Sequence, residues 1–171
     1  MTKYAYRILL RSPRKRRDPG GPGQWTSVSH IGAEYGLTVG GYLKTENDVV
    51  RLLLSCLHTS GIDKLIVSEL ELYPDRPGFE LPAALGEPLH APQDVTDGLV
   101  ISAEQAEIWI RLNLRELLWS KLIGNGAFYI HFGYDYDVYV GSSCDCAEII
   151  SEGHRVGLFV DAYPSPIEQG N

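Results

Sequence analysis

Residues 127–141 read AFYIHFGYDYDVYVG, the densest run of strand-forming residues in the chain. Phe128, Ile130 and Phe132 alternate with Tyr129 and His131. After Gly133-Tyr134-Asp135, Tyr136, Val138 and Val140 alternate with Asp137 and Tyr139. Aromatic and β-branched residues at period two predict strands with one buried face. The glycine between the runs predicts the turn of a hairpin. This hairpin is expected at the centre of a sheet, with Asp135 and Asp137 near its turn and second strand.

Working upstream, residues 102–122 show helical spacing. Ser102 and Gln105 match a capping box, and Ile110, Leu114, Leu117, Leu118 and Leu122 mark one apolar face, widened by Trp109 and Trp119. This predicts the longest helix, stopped by Gly124, with Asn125-Gly126 as the turn into the hairpin. Residues 74–100 hold Pro74, Pro77, Pro82, Pro88 and Pro92 and predict a long loop. Residues 64–73 predict a strand. Residues 45–60 predict a helix with Thr45 as N-cap and a stripe of Val49, Val50, Leu53, Leu54 and Leu57, ended by Gly61. Residues 24–30 and 35–42 read as weak, glycine-rich strands. Residues 12–23, SPRKRRDPGGPG, predict a basic Pro/Gly-rich loop. Residues 3–11 predict the first strand, with Tyr4, Tyr6, Ile8 and Leu10 on one face.

Downstream, residues 144–152 predict a short helix capped by Ser142 or Ser143 and ended by Gly153. Residues 156–162 predict the last strand. Clustered strands plus one-faced helices predict a single α+β domain over residues 1–171: a mostly antiparallel sheet with two main helices packed against it.

The chain has 171 residues, 44% hydrophobic and 22% charged, which suits one folded domain. No apolar run approaches the roughly 18–20 residues that span a bilayer, and the N-terminus lacks a signal-peptide pattern, so the expected compartment is the cytoplasm. The net charge of −7 is unevenly spread. Residues 1–17 carry seven of the 15 basic residues and no acid, leaving eight against 22 acids elsewhere. After Lys121 the only basic residue is Arg155. Such an acidic C-terminal third repels nucleic acid and favours a basic partner. Arg14, Lys15, Arg16 and Arg17 could pair with phosphates, but no aromatic is interleaved among them to stack on bases.

Specific chemical motifs are few. No dinucleotide fingerprint or P-loop occurs. Cys144-x-Cys146 with His131 and His154 offers sulfur and nitrogen donors, yet the spacing is not that of a zinc site, so no metal or other cofactor is expected. Cys144 near a helix start, or the Asp135/Asp137 pair, could serve a small enzyme. Cys56 and His58 read as packing residues on their helix. The reading we prefer uses the hairpin for binding. Tyrosine supplies rigid contact area and aspartate pairs with Arg or Lys. Tyr134, Asp135, Tyr136, Asp137 and Tyr139, joined by Asp145 and Glu148, are therefore the candidate partner-binding residues, on an exposed hairpin.

The segment FYIHFGYDYDVYVG followed by GLFVDAYPSP (Gly157 to Pro166) resembles C-terminal segments of bacterial immunity proteins encoded beside polymorphic toxins. The resemblance covers roughly the last 45 residues. It implies a cytoplasmic, non-catalytic protein without a cofactor that neutralises one cognate toxin by occluding it.

Overall fold

The computed structural model describes residues 1–9, 27–32, 36–73, 85–86, 89, 95–133 and 136–163. Its strands are β1 (Tyr4–Leu9), β2 (Lys64–Leu72), β3 (Val100–Ser102), β4 (Leu118–Gly124), β5 (Phe128–Phe132), β6 (Val138–Ser142) and β7 (Phe159–Ala162). Its helices are α1 (Val39–Thr59), α2 (Ala106–Leu114) and α3 (Glu148–Val156), with single 3-10 turns at Val28–His30 and Ala103–Gln105. The strands form one antiparallel sheet in the order β3-β2-β4-β5-β6-β1-β7. This is the α+β fold expected, and the hairpin at 128–142 sits in its middle.

Register explains where the core lies. Tyr6 faces Val140, Val140 faces Ile130, Ile130 faces Leu122 and Leu122 faces Val67. All five are buried, and with Val49, Leu53 and Leu57 of α1 they form the core. α1 packs against both α2 and α3. Ser60 Oγ and Ser142 Oγ, 2.7 Å apart, tie the end of α1 to the end of β6.

The outer face of the sheet carries the alternate residues. One register row runs Asp161, Arg7, Tyr139, His131, Lys121, Ser68. Arg7 grips Asp161 with Nε at 3.2 Å and Nη2 at 2.9 Å, and its guanidinium lies 4.1 Å from the centre of the Tyr163 ring. His131 stacks on Tyr139 and meets Trp119 edge-on.

Several sequence expectations are corrected. Residues 102–122 are not one helix: α2 ends at Leu114 and β4 begins at Leu118. The alternating burial of Leu118, Ser120, Leu122 and Gly124 is a strand pattern that also satisfies helical spacing at its leucines. The capping box of Ser102 and Gln105 is present, but it opens the 3-10 turn that leads into α2. α1 starts at Val39 rather than near Thr45, because Thr38 is the N-cap and accepts from Gly41 N at 3.1 Å. That start replaces the strand expected at 35–42, and Val28–His30 replaces the one at 24–30. α3 begins at Glu148 and runs through Gly153 to Val156, with Gly157 in the left-handed conformation as its stop. β7 accordingly starts at Phe159. Of the 74–100 loop, Val100 already belongs to β3, and most of the rest lies outside the described residues. The basic loop at 12–23, including Arg14 to Arg17, also lies outside them.

Asn125-Gly126 is a turn as expected, but it joins β4 to β5. Both residues have positive φ, 48° and 68°, and Ala127 N closes the turn on Gly124 O at 2.9 Å. These are the features of the hairpin turn that suits the strand twist.

Candidate functional site

The link between α2 and β4 builds one wall of a cleft. Leu117 N donates to Leu112 O and Glu116 N to Asn113 O, both at 3.0 Å. This paired closure normally places glycine in the left-handed position. Here that position is held by Glu116, with φ 55°. A side chain there costs about 1 kcal/mol, and it persists only where neighbours over-determine it. They do so here. Asn113 Oδ1 accepts from Ser120 N at 2.7 Å, and its Nδ2 donates to Trp109 O and Ser120 Oγ. Tyr42 OH donates to Leu114 O at 2.9 Å, and Ser27 Oγ donates to Glu116. Arg115 is anchored on Glu46 by two hydrogen bonds.

The opposite wall is the β5–β6 loop. Gly133 N donates to Asp137 O at 2.8 Å and Tyr136 N to Gly133 O at 3.1 Å. Tyr136 also has a positive φ, 67°. Between the walls lies a cleft of about 170 Å³. Tyr73, Trp119 and Tyr136 supply its aromatic surface, and Glu116 and Asp137 its carboxyl groups. Trp119 is held in place by its indole Nε1, which donates to Phe132 O at 2.7 Å. Chemically, rings and carboxylates together suit a guanidinium or ammonium group.

The predicted binding residues do not form one surface. Tyr136 and Asp137 line the cleft, but Asp137 is only 6% exposed, so the hairpin is not exposed at that residue as expected. Asp137 sits just before β6 rather than within the second strand, and its charge helps Asp161 hold the Arg7 guanidinium above its ordinary pKa. Tyr139 is 8% exposed and lies on the outer sheet face in the row with Arg7 and His131. Asp145 and Glu148 stand beyond the far end of β6, roughly 17 Å away at about 3.3 Å per residue. There Asp145 Oδ1 accepts from Tyr6 OH at 2.9 Å and Ala147 N at 2.8 Å. Burial, then the bond to Asp145, pushes the Tyr6 phenol up. Tyr134 and Asp135 lie outside the described residues, so the Asp135/Asp137 pair does too.

The cysteine chemistry is also rearranged. Cys146 turns toward α1, while His131 lies on the opposite face of the sheet and His154 is exposed on α3. Among the described residues, no group of three or more His, Cys, Asp or Glu side chains could hold a metal ion. No described helix is long and apolar enough to cross a membrane.

Glu116, Trp119, Tyr73 and Asn113 were not legible as site residues. Glu116, Trp119 and Asn113 lay inside an expected helix and Tyr73 at the end of an expected strand. The signal that could have separated them was the alternation Leu118, Ser120, Leu122, Gly124. No protein-family model, curated protein or solved structure matches the chain.

Proposed function

We propose that this chain is an immunity-type binding protein that neutralises a cognate basic bacterial toxin by direct occlusion. In this reading an Arg or Lys side chain of the toxin enters the cleft between Glu116 and Asp137. The observation that carries the reading is the placement of strain. Four non-glycine residues among those described have positive φ: Glu69, Glu116, Asn125 and Tyr136. Asn125 belongs to a hairpin turn that wants it, and Glu69 to the irregularity of β2 between Ser68 and Glu71. The other two line the same cleft, which holds both aromatic rings and carboxyl groups. Strained backbone gathers where a ligand is held, because elsewhere substitution by glycine or asparagine relieves it. The acidic C-terminal third supports the sign of the partner's charge, and the resemblance of residues 128–141 and 157–166 supports its class.

The test is protection. Cells expressing the toxin encoded beside this chain should survive when the chain is co-expressed, and the purified pair should associate at a rate that falls with added salt. Survival should be lost, and affinity should fall at least tenfold, with Glu116→Gln combined with Asp137→Asn. A Glu148→Gln control should protect as well as the parent. Absence of both protection and complex would overturn the binding function. Protection untouched by the double change would overturn the cleft.

A further inference from the structure

Three cysteines that are distant or badly spaced in the sequence meet in space. Cys56 lies in α1, and Cys144 and Cys146 lie in the link from β6 to α3; all are free thiols. Cys146 Sγ donates to Cys56 O at 3.7 Å, which sets the two cysteines side by side. Both line a cavity of about 360 Å³, rimmed by Ser55, Thr59, Asp145 and Ala147. That space admits several water-sized molecules. Two neighbouring cysteines on the wall of one polar, accessible cavity have what disulfide formation needs: proximity and an entry path for an oxidant.

We propose that Cys56 and Cys146 are an oxidative modification site, at which a hydroperoxide entering this cavity converts the pair to a disulfide that staples α1 to the segment before α3. The sulfur of Cys146 attacks the terminal peroxide oxygen and gives up its thiol proton. The O–O bond breaks, a sulfenic acid forms, and the departing hydroxide takes up a proton to leave as water. The sulfur of Cys56 then attacks the sulfenyl sulfur; the S–O bond breaks and hydroxide leaves as water with the Cys56 proton. Two thiols and one hydrogen peroxide give one disulfide and two waters, the sulfurs losing two electrons to the peroxide. Cys56 is the deeper thiol, and burial pushes its pKa up, so it resolves rather than initiates. Closing Cys144 onto Cys146 instead would span a single intervening residue, which strains the bond.

Hydrogen peroxide treatment of the folded protein, thiol blocking and tryptic mapping under non-reducing conditions test this. Trypsin should release Leu52–Lys64, which carries Cys56, joined to Leu122–Arg155, which carries Cys144 and Cys146. Fragment ions should place the bond on Cys146. The joined peptide should persist in Cys144→Ser and vanish in Cys146→Ser. The oxidised protein should melt about 5–15 °C above the reduced one. A bond placed on Cys144, a cross-link between two chains, or a sulfinic acid on Cys146 without cross-link would each overturn the proposal. If Cys146→Ser does not fold, the fragment ions from the parent protein and from Cys144→Ser decide alone.

Discussion

Arg115 holds Glu46 by a two-pronged ion pair: Nε donates to Oε2 and Nη2 to Oε1, both at 2.9 Å. Glu46 is completely buried in α1, and Arg115 is 5% exposed at the end of α2. Arg111 Nη1 adds a third bond to Glu46 at 2.5 Å and itself reaches Glu107. A carboxylate with no water contact is tolerable only while these donors remain. Removing Arg115 leaves Glu46 Oε2 without its donor and the buried carboxylate on Arg111 alone, so Arg115→Ala should cost about 3 kcal/mol. Replacing the pair together, Glu46→Met with Arg115→Leu, should cost much less, because both desolvation penalties vanish. Denaturant titration of the three proteins checks this; equal losses for the single and double changes would mean that side-chain packing outweighs charge here.

Two helical glycines should respond oppositely to alanine. In α3 a Cβ on Gly153 would lie 2.3 Å from Val160 Cγ2, on a stiff β-branched side chain of the sheet. Helix propensity would favour alanine by about 1 kcal/mol, but overpacking costs about 1–3 kcal/mol, and the clash should win. In α1, Gly40 is exposed and a Cβ there meets nothing within 4 Å. Gly40→Ala should therefore stabilise by about 0.5 kcal/mol. Melting curves of the two variants give the signs directly.

How far the sequence disclosed the fold follows from where periodicity was unambiguous. The run Phe128 to Val140 has alternation that no helix imitates, so the central hairpin was legible, displaced by two residues in its second strand. The stretch 106–124 was not, since leucines at 114, 118 and 122 satisfy both periods. What ends α2 is a glutamate in a glycine's conformation, supported by the neighbouring Asn113 and by Ser27 and Tyr42 from two distant places. Local sequence carries no trace of such tertiary support. The cleft was missed for the same reason: one wall is that hidden turn. Tyr136 and Asp137 were reached through composition, whereas the burial of Asp137 depends on strands that pack beside it.

Alkaline pH should loosen the fold. Burial first, then the charge of Glu46, pushes the Tyr42 phenol far up, with Arg115 opposing. Burial likewise raises the Cys56 thiol. In the unfolded chain the phenol titrates near its ordinary value of about 10. Above that pH the unfolded state releases a proton that the native state keeps, so unfolding becomes easier as pH rises. The stabilising contribution is complete below about pH 10 and is lost above it, at up to about 1.4 kcal/mol per pH unit for this phenol. Tyr42→Phe should lower stability at neutral pH, since Leu114 O loses its donor, yet flatten the decline above pH 10. Denaturation midpoints between pH 8 and 11 measure the slopes; parallel slopes would remove Tyr42 as its source.

Glu116 separates stability from binding most sharply. Its φ of 55° is one that glycine adopts without cost, so Glu116→Gly should recover about 1 kcal/mol of backbone strain. The same change removes the acceptor for Ser27 Oγ, a loss of about 1 kcal/mol. The two terms oppose, and the variant should unfold within about 1 kcal/mol of the parent. Binding has no such compensation. If a toxin cation meets Glu116 in the cleft, truncation should cost about 2–5 kcal/mol of affinity, expressed mainly as faster dissociation. Glu116→Gln keeps the strain and the shape while removing the charge, so it should bind nearly as poorly as Glu116→Gly and be no more stable than it. The purely structural reading of the turn makes the contrary forecast, in which glycine alters stability and leaves dissociation from the toxin unchanged. Dissociation rates of the three proteins, measured beside their unfolding free energies, distinguish the two, and a parent-like rate for both variants would remove Glu116 from the interface.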